Sequence, residues 1–170
     1  MSLDDNHLGV LPISLGNLLQ LRELHVEGNE LTTLPENFNQ FTKLETLRLY
    51  NNRLNFLPEN IGQLINLKDL SVGHNLLQAL PESFWQLENL QVLNLAENQL
   101  AALSEKIGNL TDLQTLDLGH NQLTALPESL GNLTNLTFFL YLSNNRLTSL
   151  HESLFTHLTH LRYLNITDNQ

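Results

Sequence analysis

The chain has no cysteine. That excludes disulfide caps and any thiolate metal site, and it favours a reducing compartment or a source that does without disulfides. Positive charge is scarce: 8 Lys and Arg stand against 18 Asp and Glu, a formal charge of −10. Such a surface repels phosphate backbones and anionic bilayers, so neither nucleic acid nor membrane is expected as a partner. Neutral or basic protein surfaces are better suited. No apolar run approaches the roughly 20 residues that cross a bilayer. The first ten residues, Met1 to Val10, lack the basic start and apolar run of a signal peptide. These absences together point to the cytoplasm. Also missing are a glycine-rich phosphate loop, a nucleophile elbow and a paired-carboxylate cleft, so neither enzymatic chemistry nor a cofactor is expected.

What is present is a period. Leu21, Leu44, Leu67, Leu90, Leu113 and Leu136 follow one another at a single constant interval. Each opens the wording Leu-x-x-Leu-x-Leu (or Val)-x-x-Asn-x-Leu, and most units then add Leu-Pro. The asparagine recurs as Asn6, Asn29, Asn52, Asn75, Asn98, Asn121, Asn145 and Asn169. A fixed period of this length specifies a stacked solenoid, one domain over residues 1–170 with about seven units. Pairs such as Leu24/Val26, Leu47/Leu49 and Leu70/Val72 alternate with polar or small residues, as in a strand buried on one face. Successive strands should align in parallel about 4.8 Å apart. From Pro35, the apolar residues Phe38, Phe41 and Leu44 come every three positions, which suits a short 3₁₀ segment returning over the same core. The asparagines stand where the chain turns off the strand. An amide offers both donor and acceptor there, and so can satisfy stacked turns in series.

This wording resembles the leucine-rich repeat family, in its short intracellular 23-residue subclass. Similar repeats occur in Ras-associated scaffold proteins, plant Ras-group proteins and bacterial repeat proteins, including secreted effectors. The resemblance implies an α/β right-handed solenoid, curved, with a parallel sheet on its concave face and short 3₁₀ or extended return segments on its convex face. It also implies a non-enzymatic module that binds another protein on the concave face. One alternative is a recognition or regulatory segment of a longer signalling or effector enzyme, such as a GTPase, kinase or ubiquitin ligase. A weaker one is recognition of a glycan or small ligand. Resemblance to effectors leaves secretion as the alternative to the cytoplasm.

The departures from the period are informative. Ser104 and His151 replace the proline, a change the fold should tolerate because proline only stiffens the start of the return segment. Leu136 to Leu140 spans four residues where other units use three, and Leu150, Leu154, Leu158 and Leu161 contain a second insertion. That unit, Leu136 to His160, is thus two residues longer than its predecessors. An extra residue before a strand forms a bulge. One of Phe138 and Phe139 then projects outward, or, as the favoured expectation, both rings are partly buried by local accommodation. Neither end of the chain carries a polar capping segment, which suggests a fragment of a longer protein, or self-association through bare edges. Asn109, Asn132, Asn135 and Asn165 head glycosylation sequons, of which the first three fall within the repeated Asn-Leu-Thr wording and are by-products of the repeat.

Once the phase is set, the open strand positions can be named. A central column runs Ser2, His25, Arg48, Ser71, Asn94, Asp117, Tyr141, Asn165. It is flanked by Glu23, Thr46, Asp69, Val92, Thr115, a phenylalanine taken as Phe139, and Tyr163, and on the other side by Asp4, Glu27, Tyr50, Gly73, Ala96, Gly119, Ser143 and Thr167. Tyr, Trp and Arg anchor interfaces more often than small residues do. Two patches are therefore expected: His25, Glu27, Arg48 and Tyr50 near the start, and Phe139, Tyr141, Arg162 and Tyr163 near the end. Gly73, Ala96 and Gly119 should leave a side-chain-poor trough between them. His74, Glu97 and His120 share one motif position in three consecutive units, a remote candidate for Zn²⁺ beside the favoured reading of a plain polar edge. Glu36, Glu59, Glu82, Glu105, Glu128 and Glu152 follow the proline position, where a helical first turn favours a carboxylate. Trp85 is read as a packing residue.

Overall fold

The computed structural model describes residues 1–170. Seven strands, β1 (Glu23–His25), β2 (Thr46–Arg48), β3 (Asp69–Ser71), β4 (Val92–Asn94), β5 (Thr115–Asp117), β6 (Phe139–Tyr141) and β7 (Tyr163–Asn165), form one parallel sheet in sequence order. Ser2 adds a single bridge to His25 ahead of β1. The sheet is curved and unclosed. Each strand lasts only three residues because the chain then turns sharply through a left-handed residue. That residue is Asp5, Gly28, Asn51, His74, Glu97, His120, Asn144 or Asp168, always the one before the spine asparagine, with φ between 52° and 63°. Only one of the eight is glycine, so the turn holds L residues in a conformation that costs about 1–2 kcal/mol each. The hydrogen bonds that follow offset this strain.

Those bonds come from the asparagines, as expected. Asn98 is buried; its Oδ1 accepts from Leu77 N at 2.9 Å and its Nδ2 donates to Val72 O at 3.0 Å, both in the preceding unit. The same Nδ2 also donates to Leu95 O and Ala96 O within its own turn, at 3.1 and 3.2 Å. Asn29, Asn52, Asn75, Asn121, Asn145 and Asn169 repeat the arrangement. Asn6 differs: it is exposed and donates only to Leu3 O and Asp4 O.

The return segments are 3₁₀ in six units, Ile13–Asn17, Glu36–Gln40, Ile61–Gln63, Glu82–Gln86, Glu105–Asn109 and Glu128–Asn132. Proline presets the turn before four of them, with φ from −57° to −67°. Ser104 and His151 take up the same backbone shape, φ −71° and −73°, and each replaces ring stiffness by a side-chain cap. Ser104 Oγ accepts from Lys106 N, and His151 Nδ1 from Ser153 N. Inward leucines of every strand merge with Phe38, Phe41, Phe84 and Trp85 into one continuous core. Trp85 is buried with its ring centroid 5.3 Å from that of Phe84, so it does pack. A second amide ladder, not anticipated, runs along the return side: Asn66, Asn89 and Asn135 each donate to a carbonyl of the preceding unit, Thr42, Ile65 and Thr111, at 2.6–2.9 Å.

The longer unit spends its two extra residues in different places. Phe138 is the first, a bulge ahead of β6, with Phe139 taking the register position opposite Thr115. The second turns the return segment into a helix, α1 (Glu152–His157). Leu158 N reaches Leu154 O, four residues back, where Leu133 N in the unit before reaches Leu130 O, three back. One added residue is the difference between a 3₁₀ and an α turn.

Candidate functional site

The strand register follows the phase of the open columns. His25, Arg48, Ser71, Asn94, Asp117, Tyr141 and Asn165 are paired in sequence across the sheet, and so are Glu23, Thr46, Asp69, Val92, Thr115, Phe139 and Tyr163. Where these side chains go is less uniform. Ser71 is only 3% exposed and is not available to a partner, contrary to expectation. Ser71 stands in register between Arg48 and Asn94, and the Tyr50 ring packs against Gly73 two residues on.

The first expected patch does not assemble. Its members engage other side chains rather than one another. Arg48 forms an ion pair with Asp69, His25 approaches Glu23 at 3.7 Å, and Tyr50 leans away across Gly73. The Tyr50 hydroxyl donates to Glu97 Oε1 at 3.1 Å, two units further on, and its ring meets His74 edge-on at 5.7 Å. Burial, then the Glu97 carboxylate, raises the Tyr50 phenol above its ordinary range. The trough is therefore not open as expected: Tyr50 packs against Gly73, and Gly73, Ala96 and Gly119 are all buried, Gly119 against Asp117 Oδ1 and Ser143. A Cβ at Gly73 would stand 3.1 Å from the Tyr50 ring, so the absent side chain leaves the ring its room.

Of the candidate zinc column, the structure brings together two members. His74 Nδ1 lies 3.1 Å from Glu97 Oε2, but His120 Nε2 faces Asn144 Nδ2 at 3.3 Å instead. No group of three metal-ligating side chains forms anywhere in the chain. Three of the six glutamates after the proline position, Glu82, Glu105 and Glu128, link neighbouring units through their side chains. Glu82 pairs with Lys106, and Glu128 with His151 at 3.1 Å. Glu105 accepts from Ser129 N and Glu128 N, and the Ser129 bonds above all hold its carboxyl below the usual range.

The second patch does assemble, and with one more ring than expected. Phe139 stacks on Tyr141, centroids 5.7 Å apart and planes 18° apart. Tyr163 meets Phe139 at 6.1 Å and Tyr141 at 5.6 Å, and Phe138 adds a fourth ring 6.5 Å from Phe139. Arg162 lies over the Phe138 ring, 5.4 Å from its centroid. Phe138 and Phe139 are both 40% exposed and Tyr163 is 48% exposed. Neither phenylalanine joins the core, but both rings are partly buried, which is the favoured expectation rather than a single ring projecting outward. Each packs on other aromatics. The signal for Phe138 was present in the Phe-Phe doublet, but spacing alone did not say which residue was the inserted one.

Half-buried Asp117, in the same central column, sits between Asn94 and Tyr141 and accepts from Gly119 N at 3.0 Å. Burial raises its carboxyl above the usual range, and the Glu97 charge adds to this. The Gly119 N–H and nearby His120 act the other way.

The chain matches the model of a leucine-rich repeat region over residues 2–98 and 81–170. No curated protein matches it. Among solved structures it is similar to a leucine-rich repeat protein of Leptospira interrogans, at 36% identity and a TM-score of 0.93 over 97% of this chain and 42% of that one. It is also similar to the ectodomain of the Arabidopsis thaliana receptor kinase GASSHO1/SCHENGEN3 in complex with Casparian strip integrity factor 2, at 30% identity and a TM-score of 0.78 over 100% of this chain and 24% of that one. A third similar structure is TLR13 in its complex with ssRNA13, at 27% identity and a TM-score of 0.79 over 96% of this chain and 23% of that one. The chain thus spans less than half the length of each of these proteins.

Proposed function

The chain belongs to the leucine-rich repeat family, and from that premise we propose that it is a non-enzymatic module whose concave sheet binds another protein, with the aromatic cluster of Phe138, Phe139, Tyr141 and Tyr163 as the anchor. One observation carries this reading. Four aromatic rings from two adjacent strands stay in mutual contact and in contact with solvent, although burial in the core would be worth about 1.5–3 kcal/mol for each phenylalanine. Clustered exposed aromatics beside an arginine have the composition of an interface hot spot. The family supports the choice of face, since leucine-rich repeats commonly mediate protein–protein contacts and the Arabidopsis ectodomain is seen in complex with Casparian strip integrity factor 2. The TLR13 complex contains ssRNA13, so the fold does not by itself exclude a nucleic acid. For this chain the argument against one is its charge of −10.

The test is quantitative affinity capture with the whole chain, comparing wild type, the double variant Phe139→Ala/Tyr163→Ala, and Phe56→Ala as an exposed aromatic away from the sheet. Specific partners should be lost from the double variant and kept by Phe56→Ala. Undiminished capture by the double variant overturns the choice of face.

A further inference from the structure

The central column of the concave face has one carboxylate, Asp117, and no cation in the protein pairs with it. Asp69, one column over, has Arg48, and Glu97 has His74. Asp117 makes no ion pair; Arg48 is already committed to Asp69, and Arg162 lies over Phe138. The fold does not require a charge at this position. Asn94 and Asn165 stand in the same column and make the same local bond, to Ala96 N at 2.9 Å and Thr167 N at 3.1 Å. A neutral amide therefore does everything structural that Asp117 does through its bond to Gly119 N. The negative charge is surplus to the turn, and half-burying it is unfavourable.

Next to this charge lies an aromatic ring. Tyr141 is the register partner of Asp117 on β6, about 4.8 Å away at the backbone, with its ring stacked on Phe139. Gly119, two residues on, is buried against Asp117 Oδ1 and Ser143 and carries no side chain to stand over the carboxylate, while Asp117 itself keeps part of its surface exposed. A carboxylate beside an aromatic face suits a guanidinium or ammonium, which gains a charge-assisted hydrogen bond and a cation–π contact together. The overall charge of −10 favours approach of such a group.

Resting on the reading of the concave sheet as the docking face, we propose that Asp117 and Tyr141 together seat one arginine or lysine side chain of the partner protein. The cation lies over the Tyr141 ring and donates to Asp117 Oδ2, while Oδ1 keeps its bond to Gly119 N. Neighbouring rings, Phe139 and Tyr163, cover the aliphatic stem.

The probe is N-acetyl-arginine-N-methylamide titrated into the whole ¹⁵N-labelled chain, with the citrulline analogue as its neutral isostere. The arginine compound should produce saturable shifts centred on the amides of Asp117, Gly119 and Tyr141. The citrulline compound should bind about fivefold more weakly, the margin between charge-assisted and neutral hydrogen bonds. Asp117→Asn, which copies the Asn94 geometry and so keeps the fold, should abolish that preference. An equal response to both compounds, no saturable response up to the solubility limit, or a preference that survives Asp117→Asn overturns the proposal. The two readings fail separately. Partner capture lost in Phe139→Ala/Tyr163→Ala without any arginine preference removes only the cation seat. An arginine preference with capture undiminished in that double variant removes the docking face.

Discussion

Between Leu113 and Asn135, one regular unit closes a turn of the solenoid with a three-residue strand and a 3₁₀ segment; between Leu136 and His160, a unit two residues longer does the same work. In the shorter unit every apolar side chain of the repeat frame is placed by the period, and the open face carries Thr115, Asp117 and Gly119. The longer unit keeps its frame, with Leu136, Leu140, Leu142 and Leu147 all buried, and places its surplus outside. One residue becomes a bulge that leaves two phenylalanines on the surface, and the other makes a 3₁₀ segment into a helix. A repeat protein can thus change its surface without touching its core, provided that insertions fall between frame positions. The regular units supply the continuous core, and the irregular one supplies an exposed aromatic cluster.

The contrast can be broken first at the spine. Asn98→Leu removes an acceptor for Leu77 N and donors to three carbonyls in buried surroundings. It should cost about 1–3 kcal/mol, read as a lower midpoint in urea unfolding. Asn6→Leu, which touches nothing outside its own turn, should cost far less. At the irregular unit the expectation is reversed. Phe139→Ala should change stability by under about 1 kcal/mol but weaken partner binding by about 2 kcal/mol, roughly thirtyfold, in a calorimetric titration. If stability fell instead and binding held, the aromatic cluster would be packing rather than anchor.

A smaller effect concerns pH. The folded Asp117 carboxyl is held above its ordinary range, so its ionisation costs more in the fold than in the unfolded chain. Stability is unaffected below the unfolded carboxyl's range and is lost as pH rises through the folded one. Asp117→Asn should therefore match wild type near pH 3 and exceed it at pH 7, in denaturant titrations. The Glu97 charge adds to the effect of burial on Asp117, and Glu97→Gln run in parallel separates its share. The smallest change is at Ser104→Pro. Its φ of −71° already suits proline, which restrains the unfolded chain by about 0.4–1 kcal/mol. The substitution loses the cap to Lys106 N, so thermal midpoints should differ little.

How much of this was legible in sequence follows from what a period encodes. Asn98, Leu93 and Leu95 could be placed because each recurs at a fixed offset in its neighbours, and the sheet register follows from the same offset. Tyr50 could not be placed. Its direction depends on a glycine one unit away and a glutamate two units away, a relation that no single repeat contains. Likewise the left-handed residue before each asparagine is Asp, Gly, Asn, His or Glu, and this variety hid a backbone constraint that composition does not mark. Of the two anticipated patches, one dispersed and the other held. The first contained charged and hydroxyl groups with partners elsewhere, Asp69 for Arg48 and Glu97 for Tyr50, whereas the rings of Phe139, Tyr141 and Tyr163 found their contacts in one another.

The asparagine spine has a direction. Each amide reaches back, accepting from an N–H 21 or 22 residues earlier and donating to a carbonyl 26 or 27 residues earlier. In these side-chain bonds a turn is served by its successor's asparagine, while one backbone bond links the same turn to its predecessor: Arg53, Leu76, Gln99, Gln122 and Arg146 N donate to Leu31, Leu54, Leu77, Leu100 and Leu123 O. Melting one unit at the C-terminal side leaves a backbone donor and acceptor of the abandoned turn without their asparagine, while melting one at the N-terminal side frees an asparagine to meet water, as Asn6 already does, together with the single backbone N–H that follows it. The molecule is therefore a ratchet in its hydrogen bonding: two directions of fraying along one chain, with unequal consequences, readable as asymmetric amide exchange along a stack whose units look alike.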